Sequence, residues 1–313
     1  MKTMKFKEDI LEGLQKVQKT LPSKYFYDEE GDRIFQEIMA MDSYYLPRSE
    51  REIISKSGAS IFKKIRSDQE KIDVVELGAG DGSKTVELLR LGAQLNCIES
   101  YIPLDISSHI LKVNKSTIEN AVPNLLVEPL VGDFFITLAN IKTEERKKLV
   151  LFMGSNIGNF SNEKAISFLQ LLKNSLQPND YVLIAFDLKK NPKTILKAYN
   201  DEEGITKRFN LNILHRMNRA LDCKINVENF DHFPTYDPIS GTMYSYLVSL
   251  KNQIIKIEDV EIHFNQNEVI HTEISKKYSL SDVEQMMDEV GFETVVHFMD
   301  DNDFYSLSLI KMR

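Results

Sequence analysis

A glycine-rich stretch at residues 73–85 has the residue types and spacing of a nucleotide-type binding site. A short apolar, β-branched run ends in Gly78, Gly80 and Gly82, and a helical pattern follows from Val86. Glycine adopts positive φ easily and lets the backbone approach a ligand closely. These features predict a buried strand, a tight turn and a helix start, which together form a ligand site at the carboxyl end of a parallel strand.

The chemistry of this stretch favours a cationic or zwitterionic ligand. The spacing is Gly-x-Gly-x-Gly rather than the dinucleotide Gly-x-Gly-x-x-Gly, and there is no Gly-Lys-Ser/Thr phosphate loop. Glu76 lies just before Gly78, and its negative charge would oppose a pyrophosphate. S-adenosylmethionine, a common ligand of this charge type, fits better. A glycine turn that only reverses the chain is the alternative interpretation.

Two further acids follow predicted strands. Asp105 ends the run at 97–105, about twenty residues after the turn, where a doubly wound sheet places an acid that accepts hydrogen bonds from ribose hydroxyls. A helix cap is the alternative role for Asp105. Asp133 and Phe134 end a third predicted strand, where the acid can hold the adenine amino group and the ring can stack on the base. Acids at successive strand ends predict a methyltransferase core.

The composition favours a protein with a globular core and disfavours several ligands. The chain has 313 residues, of which 42% are hydrophobic, and this length suits one large domain or two. The formal net charge of −8 disfavours a nucleic-acid partner. The sequence contains no apolar run of about 18 residues, so no membrane span is expected. The first residues contain no apolar h-region, so no secretory signal is expected, and Cys97 and Cys223 predict neither a disulfide framework nor a zinc site. The two cysteines suit a reducing cytoplasm, and no metal is expected. We also expect a monomer, although the composition does not determine the oligomeric state.

The order of predicted elements indicates an α/β fold with a Rossmann-like class I methyltransferase core. Strands at 148–153 and 181–188 flank a helix that Ser161 can cap. A helix and two strands at the C-terminus are typical of the antiparallel hairpin that closes such a sheet. They are expected at 279–290, 292–298 and 304–310.

A second, smaller α+β lid domain is expected from the rest of the chain. The segment after residue 190 has a polar helical stretch and then strands around 243–250, 256–264 and 268–273. We interpret it as an insertion that combines with the N-terminal segment, and substrate sites commonly lie at such an interface. The predicted domains are a methyltransferase core at 56–190 and 277–313 and a substrate-binding lid at 1–55 and 191–276.

Eight short segments together resemble one family, the histidine-specific, S-adenosylmethionine-dependent methyltransferases of ergothioneine biosynthesis (L-histidine Nα-methyltransferases). They span nearly the whole chain in the expected order, and it is their combination that is specific. The segments are Leu-Pro-Ser-Lys-Tyr-Phe-Tyr-Asp (21–28), Ser-Tyr-Tyr-Leu-Pro-Arg-Ser-Glu (43–50), the glycine loop, Ile-Pro-Leu-Asp (102–105), Gly-Asp-Phe (132–134), Gly-Ser-Asn-Ile-Gly-Asn (154–159), Lys-Ala-Tyr-Asn-Asp (197–201) and Thr-Glu-Ile-Ser-Lys-Lys-Tyr (272–278).

The resemblance implies a role for each matching residue. Asn159 and Tyr199 fall on positions that hold the substrate carboxylate, and both side chains can donate hydrogen bonds. Glu273 and Ser275 fall on the pair that binds the imidazole, and residues two apart on a strand face the same side. The implied cofactor positions are Gly78, Lys84, Asp105, Asp133 and Phe134. The further implied substrate-binding positions are Tyr44, Gly154 and Met243.

Aromatic residues near the N-terminus match the lining of the family's substrate cleft. They are Tyr27, Phe35 and Tyr44, of which Tyr27 and Tyr44 are the catalytic candidates. Aromatic faces stabilise a cationic amine by about 0.5–2 kcal/mol. Core packing is the alternative role, and it is strongest for Phe35.

The resemblance implies direct transfer of the sulfonium methyl group to the α-amine of L-histidine, repeated three times to give hercynine. The protein mainly supplies alignment and desolvation, and the sequence shows no histidine or carboxylate dedicated to deprotonating the amine. A related N-methyltransferase that acts on another aromatic amino acid or amine, such as a tryptophan derivative, is one alternative. A non-catalytic S-adenosylmethionine-binding module is another. Glu273 and Ser275 favour imidazole, because an indole has no acceptor nitrogen.

Overall fold

The computed structural model describes residues 2–65, 70–137 and 146–313 of the chain. The chain divides into two compact units, each with a hydrophobic core of its own. We call them the sheet unit, which comprises Leu46–Lys189 and Lys277–Arg313, and the insertion unit, which comprises Met1–Tyr45 and Lys190–Lys276.

The sheet unit is built on one large, mostly parallel sheet. Its strands are β1 (Ile72–Leu77), β2 (Ile98–Asp105), β3 (Leu126–Val127), β4 (Leu130–Val131), β5 (Lys148–Phe152), β6 (Tyr181–Asp187), β12 (Phe292–Met299) and β13 (Tyr305–Met312). The strand order is β12–β13–β6–β5–β1–β2–β3, and β4 also pairs with β2. The pairs from β6 to β3 are parallel, whereas β13 runs antiparallel to both β6 and β12.

This topology confirms the predicted Rossmann-like α/β fold and its closing antiparallel hairpin. Every residue of β1 and β5 is buried, as expected for parallel strands covered on both faces. The helices of the unit are α3 (Leu46–Ile65), α4 (Val86–Gln94), α5 (Ser108–Ala121), α6 (Phe134–Thr137), α7 (Asn162–Asn174) and α10 (Leu280–Val290). Helix α10 begins with a capping box between Ser279 and Asp282 and ends at Gly291, whose φ is +83°.

The insertion unit combines helices with two small sheets. The helices are α1 (Lys2–Leu14), α2 (Glu29–Ala40), α8 (Pro192–Tyr199) and α9 (Ile205–Leu221). The strands are β7 (Phe230–Asp237), β8 (Thr242–Ser249), β9 (Gln253–Ile257), β10 (Val260–Phe264) and β11 (Val269–Lys276). They form an antiparallel sheet in the order β11–β8–β7 and a separate β9–β10 hairpin.

The prediction of one strand at 256–264 was wrong. The chain turns between β9 and β10, and Glu258 has a left-handed φ of +52°. Ile255, Ile257, Ile262 and Phe264 are buried on the two sides of the turn. The apolar positions change from odd to even numbers across Glu258 and Asp259, so the break in the alternation was the sequence signal of this turn.

The predicted boundary at residue 55 also differs from the structure, since that position lies inside α3. The units separate between Tyr45 and Leu46 instead. Ile53, Ile54 and Ile61 of α3 are almost fully buried, and the helix packs against α4 and β13 of the sheet unit. Among the described residues, no helix has the length and apolar character needed to cross a bilayer.

Candidate functional site

The glycine loop follows β1 with the backbone conformation that its sequence predicts. The φ angles of Gly78, Gly80 and Gly82 are +68°, +57° and +78°. The amides of Gly78 and Ala79 both donate to the carbonyl of Leu104 in β2, at 2.9 and 3.0 Å. Apart from its two chain neighbours, no described residue has an atom within 4 Å of the position that a Cβ on Gly80 would take. The loop is therefore fixed to the sheet while the Gly80 face stays open, which fits a ligand lying on it.

Asp105 links the end of β2 to this loop. Its Oδ2 accepts from the Gly80 amide at 3.2 Å, and its Oδ1 accepts from the Ser107 amide at 2.9 Å. Ser107 itself caps α5 through its side chain, so Asp105 is not the helix cap. Each carboxylate oxygen has a further lone-pair direction, so Asp105 can still accept from a ribose hydroxyl.

Glu76 has a structural environment that the sequence did not reveal. Its Oε1 accepts from the Thr85 hydroxyl at 2.6 Å, and its Oε2 accepts from the Tyr101 hydroxyl. Burial raises the pKa of Glu76 to about 7, although both hydrogen bonds act in the opposite direction. Both carboxylate oxygens of Glu76 are therefore engaged inside the protein.

A second segment with left-handed backbone angles follows β5, at residues 154–159. Gly154 and Ser155 have φ of +72° and +56°, and Ser155 is a non-glycine residue in the left-handed region. The Gly154 amide donates to Oε2 of the buried Glu50 at 2.8 Å, and the Tyr305 hydroxyl donates to the same oxygen at 2.7 Å. The Lys84 Nζ lies 3.1 Å from the position of a Cβ on Gly154. A predicted cofactor residue and a predicted substrate residue are thus neighbours here.

The other predicted positions of the sheet unit are more exposed. Val131 of β4 pairs with Asp105, so the exposed Asp133 lies at the neighbouring strand end. The side chain of Phe134 lies outside the described residues, although its backbone begins α6. Asn159 is exposed and ends a short 3₁₀ helix, Asn156–Asn159.

The insertion unit contains the predicted imidazole-binding residues and one of the two predicted carboxylate-binding residues, Tyr199. Ser275 and Tyr199 are each 8% exposed, and their hydroxyl oxygens are 2.9 Å apart. Glu273 pairs with Ser245 and Ser275 pairs with Met243 in the register of β11 and β8. Without a bulge between them, Glu273 and Ser275 face the same side of β11.

Aromatic rings belong to the same group of residues. The Tyr44 ring meets the Tyr199 ring edge to face, with centroids 6.1 Å apart. Tyr27 packs against Phe35 at 5.4 Å and is 41% exposed as a residue. Loss of water around its hydroxyl, followed by the charge of Glu273, nevertheless raises the pKa of Tyr27 well above its ordinary value. Tyr27 therefore stays protonated near neutral pH.

The two groups of residues differ in the ligands they can bind. The sheet unit offers an open glycine face, a lysine and a carboxylate, a set that fits the ribose and amino-acid parts of S-adenosylmethionine. The insertion unit offers one carboxylate, hydroxyls and ring faces, which suit a small ligand with NH groups and a cationic amine.

Sequence reasoning missed several buried polar residues that support these groups. Glu50 of α3 and Asn114 of α5 are 2% and 0% exposed. Each lies within the apolar stripe of its helix. Glu50 is beside Ile53 and Ile54 in α3, and Asn114 is between Leu111 and Ile118 in α5. A polar residue in such a stripe is the signal that could have identified them, because an unpaired buried polar group is costly.

A comparison with known families identifies the class of protein. The model of the family described as "Histidine-specific methyltransferase, SAM-dependent" matches residues 6–312. The chain belongs to this family. The resemblance read from the eight segments is thereby confirmed, as are the methyltransferase class and the S-adenosylmethionine cofactor.

Individual relatives agree with this assignment. The methyltransferase is 29% identical to Histidine N-alpha-methyltransferase of Mycobacterium tuberculosis, over 97% of this chain and 94% of that protein. It is 30% identical to the protein of the same name from Mycolicibacterium smegmatis, with the same coverage of 97% and 94%. It is also 27% identical to an L-tryptophan methyltransferase of Psilocybe serbica, over 95% of this chain and 90% of that protein.

Proposed function

We propose that the protein transfers the methyl group of S-adenosylmethionine to the α-amine of L-histidine, three times in succession, to give hercynine. The observation that carries the proposal is the cluster in the insertion unit. There the hydroxyls of Ser275 and Tyr199 are 2.9 Å apart, and Glu273 lies near enough to Tyr27 for its charge to raise the pKa of the phenol. The proposal assigns the cofactor to the sheet unit and the imidazole to this cluster.

The imidazole has two nitrogens to satisfy, and the cluster offers a partner for each. Glu273 accepts from a ring NH, and the Ser275 hydroxyl donates to the other nitrogen. Ser275 exchanges its contact with Tyr199 for the ring, which leaves the Tyr199 hydroxyl to donate to the substrate carboxylate. Asn159 remains the second predicted carboxylate ligand. An indole would leave one of these polar partners unsatisfied.

Tyrosine rings suit the reacting amine because its charge changes during the reaction. When bound, S-adenosylmethionine supplies an electrophilic methyl group. Tyr27 and Tyr44 offer ring faces and hydroxyl oxygens that stabilise the ammonium forms. Since the raised pKa of Tyr27 keeps its phenol protonated, Tyr27 orients the amine and does not act as the base. We infer that water takes the amine proton.

The proposal also explains why transfer stops at three methyl groups. Each transfer requires a lone pair on nitrogen, and the quaternary product has none. The cluster must hold the amine and its methylated forms in turn, and this favours ring walls over tight hydrogen bonds around the nitrogen.

The test compares methyl transfer to histidine and tryptophan by wild type, Glu273→Gln and Glu273→Val, followed by mass spectrometry. Glu273→Gln keeps an acceptor oxygen but removes its charge. A hydrogen bond to a charged group contributes about 1.5–3 kcal/mol against about 0.5–1.5 kcal/mol for a neutral one, so histidine binding should weaken roughly tenfold. Glu273→Val removes the acceptor for the imidazole NH and opens space for the larger indole, so tryptophan should gain relative to histidine.

A matched control is Glu261→Gln, in an exposed pair with Lys256 on the β9–β10 hairpin. This variant should methylate histidine like wild type. Equal methylation of tryptophan and histidine by wild type would refute the imidazole assignment and support the related aromatic N-methyltransferase. An unchanged substrate ratio in both Glu273 variants would refute the role of that residue.

A further inference from the structure

A buried amide side chain lies under the glycine loop. Asn114 of α5 is 0% exposed, and its Nδ2 donates to the Gly80 carbonyl oxygen at 3.1 Å. The same Nδ2 is 3.4 Å from the Tyr101 hydroxyl oxygen and 3.5 Å from the Ala79 carbonyl. Three acceptors surround this nitrogen, which identifies it as the donor end of the amide.

Gly82 fits the same amide. A Cβ on Gly82 would lie 3.0 Å from the Asn114 Nδ2 and 3.2 Å from its Cγ. The φ of Gly82, +78°, already favours glycine. A side chain at this position would therefore strain the backbone and also push the amide away from Gly80.

The Gly80 residue is held through both of its peptide groups. Its N–H donates to Asp105 Oδ2 at 3.2 Å, and its carbonyl accepts from Asn114 at 3.1 Å. From Asn114 the contacts continue to the Tyr101 hydroxyl, which donates to Glu76. The open face of the loop is thus connected to a buried chain of polar groups.

We propose that Asn114 is a positioning residue for the cofactor, because it holds Gly80 and thereby keeps the loop and Asp105 in their binding geometry. Asn114 acts through the Gly80 backbone and does not need to contact the cofactor. The inference concerns cofactor binding, which family membership establishes, so it does not depend on which amino acid is methylated.

The test measures the affinity for S-adenosylhomocysteine by calorimetry at about pH 8. Asn114→Asp keeps the shape of the side chain but turns a carboxylate oxygen toward the Gly80 carbonyl. Its dissociation constant should rise about tenfold, and the KM for S-adenosylmethionine should rise with it, while kcat changes little. The control is Asn120→Ala on the exposed side of the same helix, where the Asn120 side chain donates to the Ser116 hydroxyl. This control should bind like wild type.

Acidification separates positioning from general loosening. A protonated carboxyl has a donor again, so the affinity of Asn114→Asp should recover toward wild type as the pH falls. Asn114→Ala has no donor at any pH and should stay weak. Glu76, Asp81, Asp105 and Tyr101 also act electrostatically in this region, so each affinity is expressed relative to wild type at the same pH.

Wild-type affinity in a folded Asn114→Asp would overturn the proposal, and so would the same recovery at low pH in Asn114→Ala. If Asn114→Asp does not fold, Asn114→Ala carries the test at one pH. A selective loss of S-adenosylhomocysteine binding would support the proposal, and an equal loss of histidine binding would overturn it. Failure of wild type to bind histidine would count against the proposed substrate, and the S-adenosylhomocysteine comparison would still decide the role of Asn114.

Discussion

Replacing Asp105 with alanine perturbs the predicted cofactor site at one point. In the structure Asp105 accepts from the Gly80 amide at 3.2 Å and from the Ser107 amide at 2.9 Å. We predict that it also accepts from the ribose. Asp105→Ala therefore removes the ribose acceptor and releases Gly80 from the end of β2.

The magnitude follows from the charge of the acceptor. A hydrogen bond to a charged group contributes about 1.5–3 kcal/mol, and each 1.4 kcal/mol is about tenfold in affinity. The dissociation constant for S-adenosylhomocysteine should thus rise roughly ten- to hundredfold. The control is Ser107→Ala, which removes the side-chain cap of α5. It should cost about 1 kcal/mol of stability and leave the affinity unchanged.

Calorimetry with S-adenosylhomocysteine gives both affinities, and circular dichroism shows whether each variant is folded. A folded Asp105→Ala that binds as tightly as wild type would refute the ribose assignment. If Ser107→Ala weakens binding equally, the loss arises from α5 and the carboxylate has no special role.

Three further variants test the buried polar groups. Burial raises the pKa of Glu76 to about 7 from 4.5, so the stability it contributes is full below pH 4.5 and is lost as the pH rises through 7. In Glu76→Gln the melting temperature should therefore depend less on pH between 4.5 and 7. Parallel curves of melting temperature against pH for variant and wild type would contradict this. Lys277 and Asp187 form a 2.7 Å ion pair with both side chains 0% exposed, so in urea titrations Lys277→Met should cost about 3–5 kcal/mol. The control is Lys71→Met, because Lys71 pairs with Glu99 and its side chain is 40% exposed. It should cost about 0–1 kcal/mol, and similar losses for the two variants would refute the difference. Tyr199→Phe should weaken histidine binding about fivefold without changing S-adenosylhomocysteine binding, and calorimetry showing equal losses for both ligands would contradict a substrate-specific role.

Most of the fold could be predicted from the sequence because its signals are local. The apolar runs of β1 and β5, and the Ser279 and Gly291 signals around α10, depend on residues close together in the chain. The prediction failed at 256–264, where two successive polar residues, Glu258 and Asp259, mark a turn that was taken as strand. It also differed at residue 55, because helix α3 belongs wholly to the sheet unit.

The site was predictable only in part, for the same reason. The glycine loop is a local motif, and its positive φ angles follow from its glycines. The contact of Glu50 with Gly154 joins residues 104 apart, and that of Asn114 with Gly80 joins residues 34 apart. Such contacts exist only once the helices are packed on the sheet. Local patterns could not show that the Glu76 carboxylate is engaged inside the protein.

The most direct test of the proposed function is methyl transfer by wild type to histidine, histamine and tryptophan, each with S-adenosylmethionine and each followed by mass spectrometry. Histidine should gain one, two and then three methyl groups on its α-nitrogen. Histamine, which lacks the carboxylate, and tryptophan, which lacks the second ring nitrogen, should react far more slowly. Methylation of histamine at the rate of histidine would contradict the carboxylate assignment to Asn159 and Tyr199. Tryptophan methylated as fast as histidine, or no methylation of histidine at all, would contradict the proposed function itself.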